Sequence, residues 1–175
     1  RARETLRDGF AGRLATVGAD GWPYVIPLLY VCMDGQIYVH NAEARGHLRR
    51  NVEHEPRVCF EVDEPGPVFA YGRFECDTSV AYRSVVAFGS IRIVQDGDEK
   101  TRFCLELMRK YGDPAWSRPP GFFPRLDEIA VYAIAIERLT GKETPLPAVS
   151  RRWPLMDQTR SPHAVPPGGA GEGGE

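Results

Sequence analysis

Leu14-Ala15-Thr16-Val17, Tyr24-Val25-Ile26-Pro27-Leu28-Leu29-Tyr30-Val31 and Gln36-Ile37-Tyr38-Val39-His40 are three apolar-rich runs separated by Asp20-Gly21 and Asp34-Gly35. Asp-Gly pairs accept the positive φ values that tight hairpin reversals demand, so the stretch predicts an antiparallel meander. After His40-Asn41-Ala42 the alternation stops. Glu43-Ala44-Arg45-Gly46-His47-Leu48-Arg49-Arg50 then reads as a turn entering a helix whose first residues are basic. Free amides, a helix dipole and arginines together suit a dianionic phosphate.

Working outward, residues 3 to 9 predict a short amphipathic helix, with Leu6 and Phe10 packing beneath the sheet. A helix near 43 to 54 ends before Pro56, and Arg57-Val58-Cys59-Phe60-Glu61-Val62 alternates as a fourth strand. Pro65-Gly66-Pro67 forces a connection, and residues 70 to 78 read either as a loop or as an edge strand. Tyr82 to Val94 is β-branched and free of proline, which predicts a long strand bent at Gly89. Asp96-Gly97-Asp98 leads into a helix from Glu99 to Tyr111 that stops at Gly112. Residues 113 to 128 hold Trp116, Phe122 and Phe123 among prolines, a loop apolar enough to cover something. Ile129 to Glu137 is the last clear strand, followed by Leu139-Thr140-Gly141-Lys142. The stretch from Pro162 to Glu175 is dominated by Gly and Pro and cannot fold alone.

The expectation is therefore a mainly β (α+β) chain, a six-stranded antiparallel barrel with flanking helices over residues 1–145, then an extension over 146–175 with a partly disordered tail. Exposed aromatics such as Trp22 and Tyr24 would supply dimer surface. With 42% hydrophobic residues and 26% charged among 175, the chain can bury one real core. Lys+Arg 22 against Asp+Glu 24 leaves a net charge of -2, so no basic field recruits nucleic acid. No apolar run reaches membrane-spanning length and Arg1-Ala2-Arg3-Glu4 lacks a signal-peptide core, which reads as cytoplasmic with no membrane partner. Cys32, Cys59, Cys76 and Cys104 form no Cys-x-x-Cys pair, and His40, His47, His54 and His163 give no ligand spacing, so no metal is expected. No Gly-x-Ser-x-Gly elbow is present, which disfavours a hydrolase.

Taken in order, Gly12-Arg13-Leu14-Ala15-Thr16-Val17, Asp20-Gly21-Trp22-Pro23-Tyr24-Val25-Ile26-Pro27, Ile37-Tyr38-Val39-His40-Asn41-Ala42, Arg57-Val58-Cys59-Phe60 and Tyr82-Arg83-Ser84-Val85-Val86-Ala87-Phe88-Gly89 resemble the FMN-binding split-barrel superfamily. The match is to its pyridoxamine 5'-phosphate oxidase-like branch that includes nitroimidazole-resistance proteins. The resemblance implies a homodimer of six-stranded split barrels, with FMN in two sites shared across the interface. It implies that Val25, Ile26, Pro27 and Leu28 flank the isoalloxazine through backbone groups. Val39, His40 and Asn41 would line the ribityl chain and phosphate, Gly46, His47, Arg49 and Arg50 would meet the phosphate, and Arg83 and Ser84 would touch the flavin. Where many relatives follow Gly-x with a phosphate-binding lysine, this chain has Leu48; a shifted arginine could replace it through bidentate contacts or could equally point away. Adjacent helical residues diverge by about 100°, so Arg49 and Arg50 cannot both take the lysine's direction.

The implied function is an FMN-dependent oxidoreductase passing electrons from a reduced donor to a small acceptor such as a nitro compound. The rival is a non-catalytic storage or sensor protein for a flavin or haem, with His40 or His47 as axial ligand. Individual residues keep plainer readings beside these. His40 also reads as a hydrogen-bonded strand end, His47 as a simple cap, the arginines as a solvated face, and Phe122 and Phe123 as a seal rather than a lid. For Arg83, an ion pair with Glu61 or Glu75 weighs as much as a flavin contact, because a strand arginine needs an anionic or aqueous partner.

Overall fold

The structure, a computed structural model, describes residues 1–42 and 44–161; the Pro162 to Glu175 stretch lies outside the described residues. The chain divides into two compact units. The first takes Arg1–Glu64 and Arg83–Glu143, and the second takes Pro65–Tyr82 with residues 144–161.

Helices α1 (Ala2–Asp8), α2 (His47–His54) and α3 (Gly97–Tyr111) accompany strands β1 (Gly12–Val17), β2 (Pro23–Leu28), β3 (Tyr30–Met33), β4 (Gln36–Ala42), β5 (Arg57–Ala70), β6 (Thr78–Ile93) and β7 (Ile129–Thr144). They form one antiparallel-rich sheet in the order β2-β1-β5-β6-β7-β4-β3. Both Asp-Gly reversals are as read. Asp34 and Gly35 have φ of 53° and 75°, closing a two-residue hairpin between Met33 and Gln36, and Gly21 has φ 79° in the β1–β2 loop.

Seven strands replace the expected six because the run Tyr24 to Val31 breaks at Leu29. Before it, β2 pairs with β1 from Val17↔Pro23 to Gly12↔Leu28; after it, β3 pairs with β4 from Tyr30↔Val39 to Met33↔Gln36. The two outermost strands of the sheet are thus consecutive in sequence, one residue apart. The sheet must curl until its edges meet at that residue, which is a split barrel.

Pro65-Gly66-Pro67 does not end β5, which runs on to Ala70. β1 pairs with β5 only at Cys59, Phe60 and Glu61. Alternate residues direct their amides to the same side of a strand, so Pro65 and Pro67 lose donors together, and an edge position tolerates that loss. Of the stretch read as a loop or an edge strand, residues 71–77 form the turn between β5 and β6.

The core of the first unit has two clusters. Leu6, Leu14, Tyr30, Ile37, Val39, Leu48, Phe60, Val85 and Tyr132 fill the inside, while Val31, Tyr38, Val94, Phe103 and Val131 pack beneath α3. Leu6 is buried as expected, but Phe10 is exposed and only meets Tyr111 edge-on. α3 starts where Asp96 accepts a hydrogen bond from the Glu99 amide at 2.7 Å and ends at Gly112, a cap of about 1 kcal/mol. Gly89 marks a close approach rather than only a bend: a Cβ there would collide with the Ala135 carbonyl. Phe123 seals the second cluster and Phe122 is exposed.

Within the second unit, Asp77 is buried and accepts hydrogen bonds from the Phe74 amide (3.1 Å) and the Thr159 hydroxyl (2.7 Å). The Gln158 amide donates to the Tyr71 carbonyl at 2.8 Å, so this turn holds the C-terminal segment. No helix of the described residues is long and apolar enough to cross a membrane. No group of three potential metal ligands occurs among them.

Candidate functional site

The opening of the barrel follows from pairing that stops. β3 pairs with β4 only as far as Tyr30↔Val39, whereas β4 continues along β7 through His40↔Val131, Asn41↔Ala130 and Ala42↔Ile129. The edge of His40 to Ala42 that faces away from β7 therefore has no strand beside it. β2, leaving at Leu29, has no strand on its outer edge either. These two bare edges flank the split, and both offer backbone donors and acceptors, the groups expected to hold a flat polar ring system.

α2 closes one end of the split. Leu48 and Val52 fix it by burying one face, and Asn51 donates from Nδ2 to the Thr16 hydroxyl at 3.0 Å beneath it. His47 then stacks on Tyr24 at the start of β2, with ring centroids 5.5 Å apart and 23° between planes. Among the described residues no side chain caps the Gly46 end of α2, and its first turn holds no acidic residue. That leaves amides and the positive end of the helix dipole facing outward.

The arginines separate as helical geometry requires. Glu53 takes Arg45 at 2.6 Å and Arg49 at 3.1 Å, and these hydrogen bonds, that of Arg49 above all, hold its carboxyl below the usual range. Arg49 also borders a separate small cleft with Lys100 and Asp127. Arg50 points the other way. Its guanidinium donates to the Arg45 carbonyl at 2.9 Å and has no carboxylate partner among the described residues. With His47, Asn51, Asp20, Trp22 and Tyr24 it lines a cleft of about 420 Å³.

Leu48 does not stand where a phosphate ligand would. It is 2% exposed and belongs to the inner core. The i, i+4 pairing of Leu48 with Val52 is the sequence signal of a buried helical face. Val39 is likewise fully buried, so its side chain serves the core.

His40 and Asn41 point to opposite faces of β4, as alternation dictates. The His40 ring lies 5.4 Å from that of Phe103 beneath α3. The His40 Nδ1 and the Asn41 Oδ1 are both buried and without a hydrogen-bond partner among the described residues. A buried polar atom without a partner costs free energy, and these two lie on opposite faces of the strand.

Burial pushes the His40 pKa down. Its folded pKa therefore lies below its unfolded value near 6.5, and as pH falls below about 6.5 the unfolded state gains a proton that the fold resists. Stability is lost on the acid side. His40→Gln should flatten this decline in urea unfolding measured from about pH 7 to 5; an unchanged slope would exclude His40 as its source.

Arg83 and Ser84 are not brought to the split. They line a larger cleft of about 700 Å³ with α1, Glu64, Gly141 and Glu143. Arg83 pairs there with Glu143 at 3.3 Å and Glu64 at 3.9 Å, rather than with Glu61 or Glu75. Val25, 58% exposed, Ile26, Pro27 and Leu28 belong to β2, and His40 and Asn41 to the end of β4; Gly46 precedes α2, and His47 and Arg50 line the cleft beside it. The cleft residues Asp20 and Trp22 were not singled out as site residues by the sequence, although the five-residue loop between β1 and β2 carries both.

A family model described as pyridoxamine 5'-phosphate oxidase matches residues 1–143. No curated protein matches in sequence. Among solved structures, the chain is similar to the flavocytochrome Anf3 from Azotobacter vinelandii, with TM-score 0.69 and 19% identity over 98% of this chain and 86% of that one. It is similar to an FAD and haem binding protein from Mycobacterium smegmatis, with TM-score 0.66 and 21% identity over 99% and 91%. A protein from Bacteroides thetaiotaomicron assigned to 5-nitroimidazole antibiotic resistance gives TM-score 0.66 and 19% identity over 81% of each chain. At these identities the structural likenesses establish the split-barrel fold.

Proposed function

Because the chain belongs to the pyridoxamine 5'-phosphate oxidase family, we propose that it is a flavin-binding oxidoreductase, with FMN as the minimal cofactor, working on a small acceptor such as a nitro compound. The observation that carries this reading is the split itself. Among the described residues, the bare edges of β2 and β4 lead to a helix start that no side chain caps and that His47 and Arg50 flank. The flavin supplies the redox chemistry when bound.

The chain's own residues bind and orient. The backbone of Val25 to Leu28 flanks the ring system, the His40 to Asn41 strand end runs along the ribityl chain, and the α2 amides with His47 and Arg50 take the phosphate. Arg49, committed to Glu53, stands aside. Arg83 and Ser84 face another cleft, so they reach a flavin from the partner subunit of a homodimer. Sedimentation of the protein with and without flavin tests that arrangement; a monomer at all concentrations would remove it.

Flavin titration by fluorescence quenching tests the cradle. Arg50→Gln should weaken FMN binding about tenfold, the scale of one charge-assisted contact, while Arg49→Gln should change it less than about twofold. Equal effects, or no FMN binding by the parent, would overturn the assignment.

A second reading, storage or sensing with haem beside the flavin, is favoured by the two whole-length likenesses to a flavocytochrome and to an FAD and haem binding protein. The residues fit it poorly. His40 lies against Phe103 and lines none of the three clefts described, and no step is derived through haem. Absorbance decides, since haem would give a Soret band.

A further inference from the structure

The cleft beside α2 is larger than a phosphate needs. Its volume of about 420 Å³ falls within the range of small-molecule sites, and its walls have the chemistry of a nucleotide site. Trp22, 73% exposed at the tip of the β1–β2 loop, offers an indole face. The stacked pair Tyr24 and His47 forms an aromatic wall. Asp20 accepts the Trp22 amide through one oxygen at 3.1 Å, leaving the other to accept from hydroxyls. Arg50 supplies a cation with no carboxylate partner among the described residues, next to the start of α2, which none of them caps.

We propose that this cleft binds the adenosine diphosphate part of a dinucleotide, with the base on Trp22, the ribose near Asp20 and the diphosphate between Arg50 and the α2 amides. Aromatic stacking, a hydroxyl acceptor and a helix-start cation are the three contacts that such a group satisfies together. The site is continuous with the phosphate cradle through His47 and Arg50. Resting on the flavin reading given above, the favoured source is FAD, whose FMN half would lie in the split. A nicotinamide dinucleotide donor presents the same chemistry.

Calorimetric titration of the full chain with FMN, FAD, ADP and NADH, for the parent, Trp22→Ala and Trp22→Phe, separates these sources. Trp22 is exposed, so the variants should fold. The expected result is FAD binding at least about tenfold tighter than FMN, with Trp22→Ala removing that advantage, leaving FMN unchanged, and Trp22→Phe largely restoring it. ADP and NADH binding lost in Trp22→Ala, with FMN and FAD equal throughout, would support the cleft and assign it to the donor. ADP failing to bind while FAD and FMN bind equally in every variant would overturn the proposal and leave the flavin reading standing. Absence of any flavin binding would overturn the flavin reading, and the ADP titration would then decide the cleft alone. A Trp22→Ala protein that dissociates a dimer with ADP and FAD affinities unchanged would count against it as well.

Discussion

Leu48→Lys should lower folding stability by about 3–5 kcal/mol and should not tighten flavin binding. The substitution introduces the residue that the family resemblance would place against phosphate, so the sequence alone would anticipate a gain. The structure predicts a loss, because Leu48 is packed with Val52 in the inner core. A lysine there either buries its ammonium or pulls the start of α2 off the sheet. Typical domains hold 5–15 kcal/mol in all, so the loss should be plain as a fall in urea midpoint. Leu48→Met, nearly equal in volume, should cost less than about 1.5 kcal/mol. An unchanged midpoint with tighter FMN binding in Leu48→Lys would show that position 48 does face the phosphate.

Gly89→Ala should cost about 3 kcal/mol or more, the upper end of overpacking. The added methyl would meet the carbonyl oxygen of Ala135 and the backbone of Ile136 on β7. Main chain held in a sheet cannot swing aside as a long side chain can. Gly97→Ala provides the contrast, since a Cβ at the start of α3 meets nothing within 4 Å; it should be neutral or stabilise by up to about 1 kcal/mol. Thermal unfolding of the two variants side by side measures the difference. Similar melting temperatures would mean that β6 and β7 do not approach as described.

The two glycine types illustrate what was readable. Gly21 and Gly35 act through their own dihedral angles, and Asp-Gly announces such turns locally. Gly89 acts through a strand more than 40 positions away, and no local pattern encodes that distance; the sequence offered only a bend. The break at Leu29 was hidden for a similar reason. Tyr24 to Val31 is uniformly apolar, and the change of pairing partner comes from β1 on one side and β4 on the other. Pro65 and Pro67 misled because proline punctuates interior strands, whereas here the neighbouring ladder had already ended.

At the candidate site, the basic turn into α2 was legible from charge and spacing, and its outline survives. What spacing could not reveal was the division of labour among Arg45, Arg49 and Arg50. That division is set by Glu53, one turn further on. That Trp22 shares a cleft with His47 and Arg50 is a tertiary fact.

The strand order has a consequence for how this chain is made. β7, the last strand of the described residues, lies between β6 and β4. Until it leaves the ribosome, the β3–β4 hairpin cannot join β1, β2, β5 and β6, and the nascent sheet stays in two pieces with Tyr38, Val39 and Val85 uncovered. Long-range closure of this kind is slow, and half-formed edges invite pairing between chains. Successful production should therefore depend on the interval just before residues 129–144 emerge, a window in which chaperone holding would matter more than at any earlier point of translation.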